Sequence, residues 1–245
     1  MKKKIVAFTL VIAMLAICFG ATLAYFTDTD AAKNVMTMGK VDIEQIEQER
    51  GENGELQDFT QDKMLLPMGG DPAWAADLVT VNGDSFKVFD SENVIDKIIT
   101  VNNNGNTAAY VRTIIALEAG KSAEEAKDLW YNYIALTDNS DGETIIVEDN
   151  DLFVKIGETY YIIVVYTYAD ALEAGAKSGA SLTGVALYKE ATQETIANLG
   201  DTYEVLALSQ AVQAADMGDD AGAALDTAFG DVNAANVADW FASIA

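Results

Sequence analysis

Nine consecutive residues, Tyr160-Tyr-Ile-Ile-Val-Val-Tyr-Thr-Tyr168, are apolar or aromatic apart from Thr167, with no polar face. Side chains of a strand alternate between its two faces, so such a run marks a central strand covered on both sides. Short β-patterned runs recur around it: Phe86–Phe89, Val94–Val101, Ala109–Leu117, Ser181–Tyr188 and Tyr203–Ala214. In Ala109–Leu117 one face carries Ala109, Val111, Ile115 and Leu117, and Arg112 falls on the other with Tyr110. In Tyr203–Ala214, Leu206, Leu208 and Val212 share a face with Gln210. Asn102-Asn-Asn-Gly-Asn106 reads as a turn, because Asn and Gly tolerate positive φ. That makes 94–117 a hairpin or an adjacent strand pair.

Helices are short and few in this pattern. Ser122-Ala-Glu-Glu125 is a capping box, followed by Ala126, Leu129, Trp130 and Tyr133 at helical spacing. Residues 219–229 are Ala-rich and end at Gly230, the residue type suited to a helix C-terminus. Val237, Trp240, Phe241 and Ile244 make an amphipathic stripe, expected to dock on the domain. Glu44–Gln61 is polar and acidic and reads as a loop or exposed excursion. Met64–Trp74, with Pro67 and Pro72, reads as a structured loop that carries Trp74 toward the core. The expected fold is mainly β: one antiparallel β-sandwich domain over 44–245, with short peripheral helices and a C-terminal helical segment over 219–245.

The N-terminus has a different character. Met1-Lys-Lys-Lys4 is basic, Ile5–Phe19 is apolar except for Thr9, and small residues follow. These are the parts of a secretory signal peptide over 1–24, with Thr22 and Ala24 as the small positions and Tyr25 as the first residue after cleavage. Two other readings stay open. Ile5–Ala24 has the length of about 20 residues that an uncleaved anchor needs. Cys18 invites a lipoprotein reading, although Ile17 stands where a small residue is wanted.

Export would take Lys2–Lys4 and Cys18 away with the signal. The 15 Lys and Arg then fall to 12 against 39 Asp and Glu, a formal charge of about −27 on 221 residues. That surface repels a phosphate backbone and an anionic bilayer, so no nucleic acid and no membrane contact beyond the signal peptide is expected. No cysteine remains for a disulfide, so packing must hold the domain. The chain has no His. Ser-His-Asp, Cys-His and His-ligated zinc arrangements are therefore excluded. Any metal would be a hard cation on oxygen ligands, such as calcium, with Asp138, Asp141 and Glu143 as weak candidates. Asp138-Asn-Ser-Asp-Gly-Glu143 departs from the EF-hand pattern, and a hairpin turn between Ile134–Leu136 and Thr144–Val147 is the preferred reading. No cofactor is expected.

The junction Gly20-x-Thr22-x-Ala24-x-Phe26-x-Asp28, then Asn34 and Gly39-x-Val41-Asp42-Ile43, resembles the TasA/camelysin family, which is exported through a SipW-type signal peptidase. Val101-Asn-Asn-Asn-Gly-Asn-x-x-x-Tyr110-Val-Arg112 is similar to that family's strand–turn–strand. Ser209–Ala214 with the Ala-rich helix after it looks like a form found among its members. The resemblance does not extend to 44–85. It implies a jelly-roll-like sandwich and a secreted, non-enzymatic structural protein of the cell surface or biofilm matrix. Partners would be further copies of the chain, as a homo-polymer, or other matrix and cell-wall components. It also implies fibres in which the N-terminal strand of one subunit, here within 25–43, completes the sheet of the next. Phe26, Val35, Met36, Met38, Val41 and Ile43 would be the apolar residues of that assembly strand, unless the arm folds back into its own sheet. Camelysin relatives are described as metallopeptidases, but a chain without His lacks the usual zinc site. The alternatives are a monomeric adhesin for glycan or calcium and, more remotely, a hydrolase.

Overall fold

In the computed structural model residues Tyr160–Thr167 of that run lie in strand β10 (Thr159–Thr167), and both its faces are covered. The described residues are 27–30, 40–60, 63–68, 77–81, 84–88, 93–130, 133–136, 153–192, 194, 197 and 203–242. The remaining strands are β1 (Thr27–Asp30), β2 (Ile43–Arg50), β3 (Leu56–Asp58), β4 (Asp77–Val81), β5 (Asp84–Val88), β6 (Ile95–Asn103), β7 (Ala109–Gly120), β8 (Tyr133–Leu136), β9 (Phe153–Ile156), β11 (Leu182–Leu187) and β12 (Val205–Gln213). One sheet has the order β1-β12-β7-β10-β9, the other β3-β2-β6-β11-β8, and β4-β5 is a separate hairpin. Every strand pair is antiparallel. The fold is an antiparallel β-sandwich. β10 is interior, and the centre of its sheet belongs to β7.

The two sheets close over Ile99, Ile115, Leu117, Ile162, Val164, Leu182 and Leu187, all nearly fully buried. Burial of this apolar core stabilises the sandwich. The opposite face of the β7 sheet is covered as well. Ile114, Ile163, Val165 and Leu208 meet Val237 and Phe241 of helix α3 (Ala234–Ala242). Tyr110 and Val212 meet Ala221, Ala224 and Leu225 of helix α2 (Ala221–Phe229). The C-terminal stripe is therefore docked on the domain. Asp220 caps α2 by accepting from the Ala223 amide at 3.0 Å. Gly230 follows α2 with φ +90°, a backbone conformation that glycine adopts freely.

Helix α1 (Ala123–Trp130) starts with the expected capping box. Ser122 Oγ accepts from the Glu125 amide at 3.2 Å, and Glu125 Oε2 accepts from the Ser122 amide at 3.1 Å. Tyr133, which the spacing assigns to this helix, instead begins β8 and pairs with Leu187.

Neither the hairpin nor the adjacent strand pair expected over 94–117 is formed. β6 pairs with β2 and β11, and β7 pairs with β10 and β12, so Asn104–Ala108 crosses from one sheet to the other. The Asn-rich turn works through side chains rather than through positive φ. Buried Asn103 donates from Nδ2 to the Thr107 and Leu172 carbonyls at 2.8 and 2.9 Å, and its Oδ1 accepts from the Gly105 amide. Asn106 exchanges bonds with the Lys40 backbone. Gly105 is required by close approach: a Cβ there would sit 2.2 Å from the Lys40 carbonyl oxygen.

The excursion expected at 44–61 is also replaced by order, in β2 and β3. Its apolar content is low, and paired charges take the place of hydrophobic alternation. Lys97 Nζ lies 2.5 Å from Glu47 Oε2 and over the Phe59 ring, and Arg50 grips Asp96 with two bonds of 2.5 and 2.9 Å. Burial would raise the Glu49 carboxyl, but bonds from Lys63, Gln57 and Thr60 outweigh it and hold the group at about 2 instead of 4.5. A carboxylate whose folded pKa is depressed stabilises the fold above its ordinary pKa and loses that contribution as pH falls toward the folded value. Urea unfolding should therefore show a loss of about 2 kcal/mol between about pH 4.5 and about pH 2 that Glu49→Gln no longer shows in that window.

Candidate assembly edge

The N-terminal strand finds its place at one rim of the sandwich. β1 pairs with β12 through Thr27↔Val212, Asp28↔Ala211, Thr29↔Gln210 and Asp30↔Ser209. Only the backbone edge of β12 receives it in the sheet, so four residues of pairing close this rim. Val205–Leu208, the first half of β12, has β7 on one side and no second strand among the described residues on the other.

The side chains of β12 divide by parity. Leu208, Gln210 and Val212 turn outward beneath the C-terminal helices, whereas Ser209 and Ala211 turn into the sandwich. Ser209 Oγ donates to Gln45 Oε1 at 2.7 Å and shares a 3.0 Å bond with Thr113 Oγ1. Gln45 Nε2 donates to Glu47 Oε1 and to the Ala207 carbonyl at 3.0 and 3.3 Å. Gln45 of β2 thus ties the two sheets together beside the rim, with its amide satisfied on both ends.

Two of the six residues expected in an assembly strand are described. Val41 and Ile43 are buried in this chain's own core with Val101, Val111, Tyr166, Tyr168 and Ala211. Ile43 also starts β2 and pairs with Asn103. The segment that closes an edge here is therefore β1, and Val41 and Ile43 belong to the sandwich itself. Phe26, Val35, Met36 and Met38 lie outside the described residues. So do Thr22, Ala24 and Tyr25 of the cleavage motif, Trp74, Ile244, and the calcium candidates Asp138, Asp141 and Glu143. Among the described residues no group of three or more carboxylate, His or Cys side chains is arranged to hold a metal ion.

Near the start of β12, Tyr161 Oη donates to Glu204 Oε2 at 2.9 Å, and the Glu204 amide donates to Glu118 Oε2 at 2.7 Å. Burial, then the bond to Glu204, pushes the Tyr161 phenol above its ordinary range, and burial raises the Glu118 carboxyl. Burial also pushes Tyr203 up to about 12. The cluster braces β12 against β7 and β10. The other tyrosines of the central run do the same kind of work: Tyr166 meets Tyr168 edge-on at 4.9 Å, and Tyr168 Oη donates to the Gly179 carbonyl. Tyr166 and Tyr168 pack within the sandwich.

Sequence reasoning placed Arg112 and Gln210 on strand faces but did not join them. Arg112 is 1% exposed, and its Nε donates to Gln210 Oε1 at 2.7 Å. The readable signal was a lone cation and a lone amide, each on an otherwise apolar outward face. Gln45 and Ser209 carried no signal of their own. No family model matches the chain, and no curated protein or solved structure is significantly similar to it.

Proposed function

We propose that this chain is a secreted, non-enzymatic structural protein of the cell surface or biofilm matrix, similar to TasA/camelysin proteins, that assembles by exchange of its N-terminal strand. The observation that carries the proposal is the attachment of β1: a four-residue strand held in its sheet by one edge of β12, next to a stretch of β12 that has no second strand among the described residues. A strand bound through main-chain hydrogen bonds to an open edge makes the same bonds in any copy of the chain. Contacts of that head-to-tail kind extend into filaments when they do not close. Signal cleavage after Ala24 would leave β1 at the start of the mature chain, free to leave its own edge. The partner is another copy of the chain, and the strong acidity keeps free subunits apart and soluble.

Electron microscopy of the chain starting at Tyr25, with and without residues 25–30, tests this. Filaments from the longer chain and none from the trimmed one are expected. A stable monomer from both would favour a monomeric surface-binding module instead. Trimming stops at Asp30 because Val41 and Ile43 belong to the sandwich core.

A further inference from the structure

Gln210 is where the edge strand and the C-terminal helices meet. Its backbone is the register partner of Thr29 in β1. Its side chain lies fully buried on the opposite side, toward the helices, and accepts from Arg112 Nε. The rest of the Arg112 guanidinium is spent on those helices. Nη1 donates to Asp226 Oδ1 at 2.6 Å in α2, and Nη2 donates to the Gly230 carbonyl at 3.1 Å in the connection that follows. The guanidinium also lies 5.0 Å from the centre of the Trp240 ring in α3. One buried cation therefore grips both helices and the strand that carries β1.

The grip has a built-in counterweight. Gln210 Nε2 is buried and has no hydrogen-bond partner among the described residues. Reversing the amide would set its NH2 group against the guanidinium, which has donors only, so Arg112 fixes this orientation. A buried donor without an acceptor disfavours the closed arrangement and would be relieved if the helices lifted and water reached it. The helices are short elements of nine residues each that follow β12, the kind of unit that opens below the global unfolding free energy.

We infer that the Arg112 cluster is a latch that couples the seating of residues 214–242 on the sheet to the hold of β12 on β1. With the helices seated, Gln210 is pinned from one side while its backbone pairs with Thr29 on the other. When they lift, the pin is lost and the β1–β12 pairing loosens with it. The use of this latch to license strand exchange rests on the assembly reading above; the coupling itself does not.

Hydrogen exchange of the full chain, at a concentration where it is monomeric, tests the coupling without reference to filaments. Asp226→Asn weakens the latch. Gln210→Glu tightens it, because a carboxylate has no unanswered donor and sets a full negative charge against Arg112 Nε. Asp226→Asn should speed exchange about tenfold in 221–242 and equally in 27–30 and 205–213, with β6 and β11 unchanged. Gln210→Glu should slow all three segments. Faster exchange in the helices with wild-type protection at 27–30 and 209–212 would overturn the coupling. So would no change in any segment, or a uniform rise that includes β6 and β11.

Discussion

Arg112→Met is expected to lower the unfolding free energy by about 3–5 kcal/mol, read as a fall in urea midpoint. The cation is 1% exposed, and it answers Gln210, Asp226 and the Gly230 carbonyl at once. Removing it leaves two acceptors and a carboxylate facing an apolar side chain beneath α2 and α3. The loss comes mainly from those abandoned groups rather than from the net worth of the pair, because burying a cation is itself expensive. Replacing Gln210 and Asp226 by leucine in the same chain should therefore restore part of the midpoint. A single substitution that costs under about 0.5 kcal/mol would show that the cluster is solvated in solution, as surface ion pairs are.

Tyr166→Ala carries the second large effect, a destabilisation of about 3–5 kcal/mol on the scale of buried aromatic truncations. Tyr166 is fully buried and stacks edge-on against Tyr168. It packs in one cluster with Val41, Ile43 at the start of β2, Val111 of β7 and Ala211 of β12. The cavity would open where Val41 and Ile43 meet β12, and polar Asn103 and Ser178 nearby limit how far the site collapses. Phenylalanine at 166 should recover most of the loss, since the volume is kept. Thermal unfolding of the two variants separates packing from the hydroxyl.

Much of the sandwich was legible because its strongest signals are local. β10 announced its burial on both faces, the capping box at Ser122 and Glu125 formed as written, and Gly230 ends the Ala-rich helix. What failed were inferences that needed to know a partner. β2 carries too few apolar residues to read as a strand until Lys97, Asp96 and Lys63 are in place to pair its charges. The strands on either side of Asn102–Asn106 pattern well, but adjacency in sequence does not say that neighbours share a sheet. Here the Asn103 side chain turns a corner between sheets. Arg112 and Gln210 are 98 residues apart, so two isolated polar residues on apolar faces became a cluster only in the fold.

The proposed exchange of β1 can be tested by a disulfide trap, because the chain after Ala24 has no cysteine. Asp28 and Ala211 are register partners, a spacing at which strand neighbours can be bridged by a disulfide. In the chain starting at Tyr25, Asp28→Cys with Ala211→Cys should remain monomeric when oxidised while dilute, since β1 is then locked to its own β12. Reduction should release filaments, and oxidation of those filaments should give a ladder of covalent multimers. Filaments that form equally well from the internally locked chain, or a reduced chain that never multimerises, would contradict strand exchange.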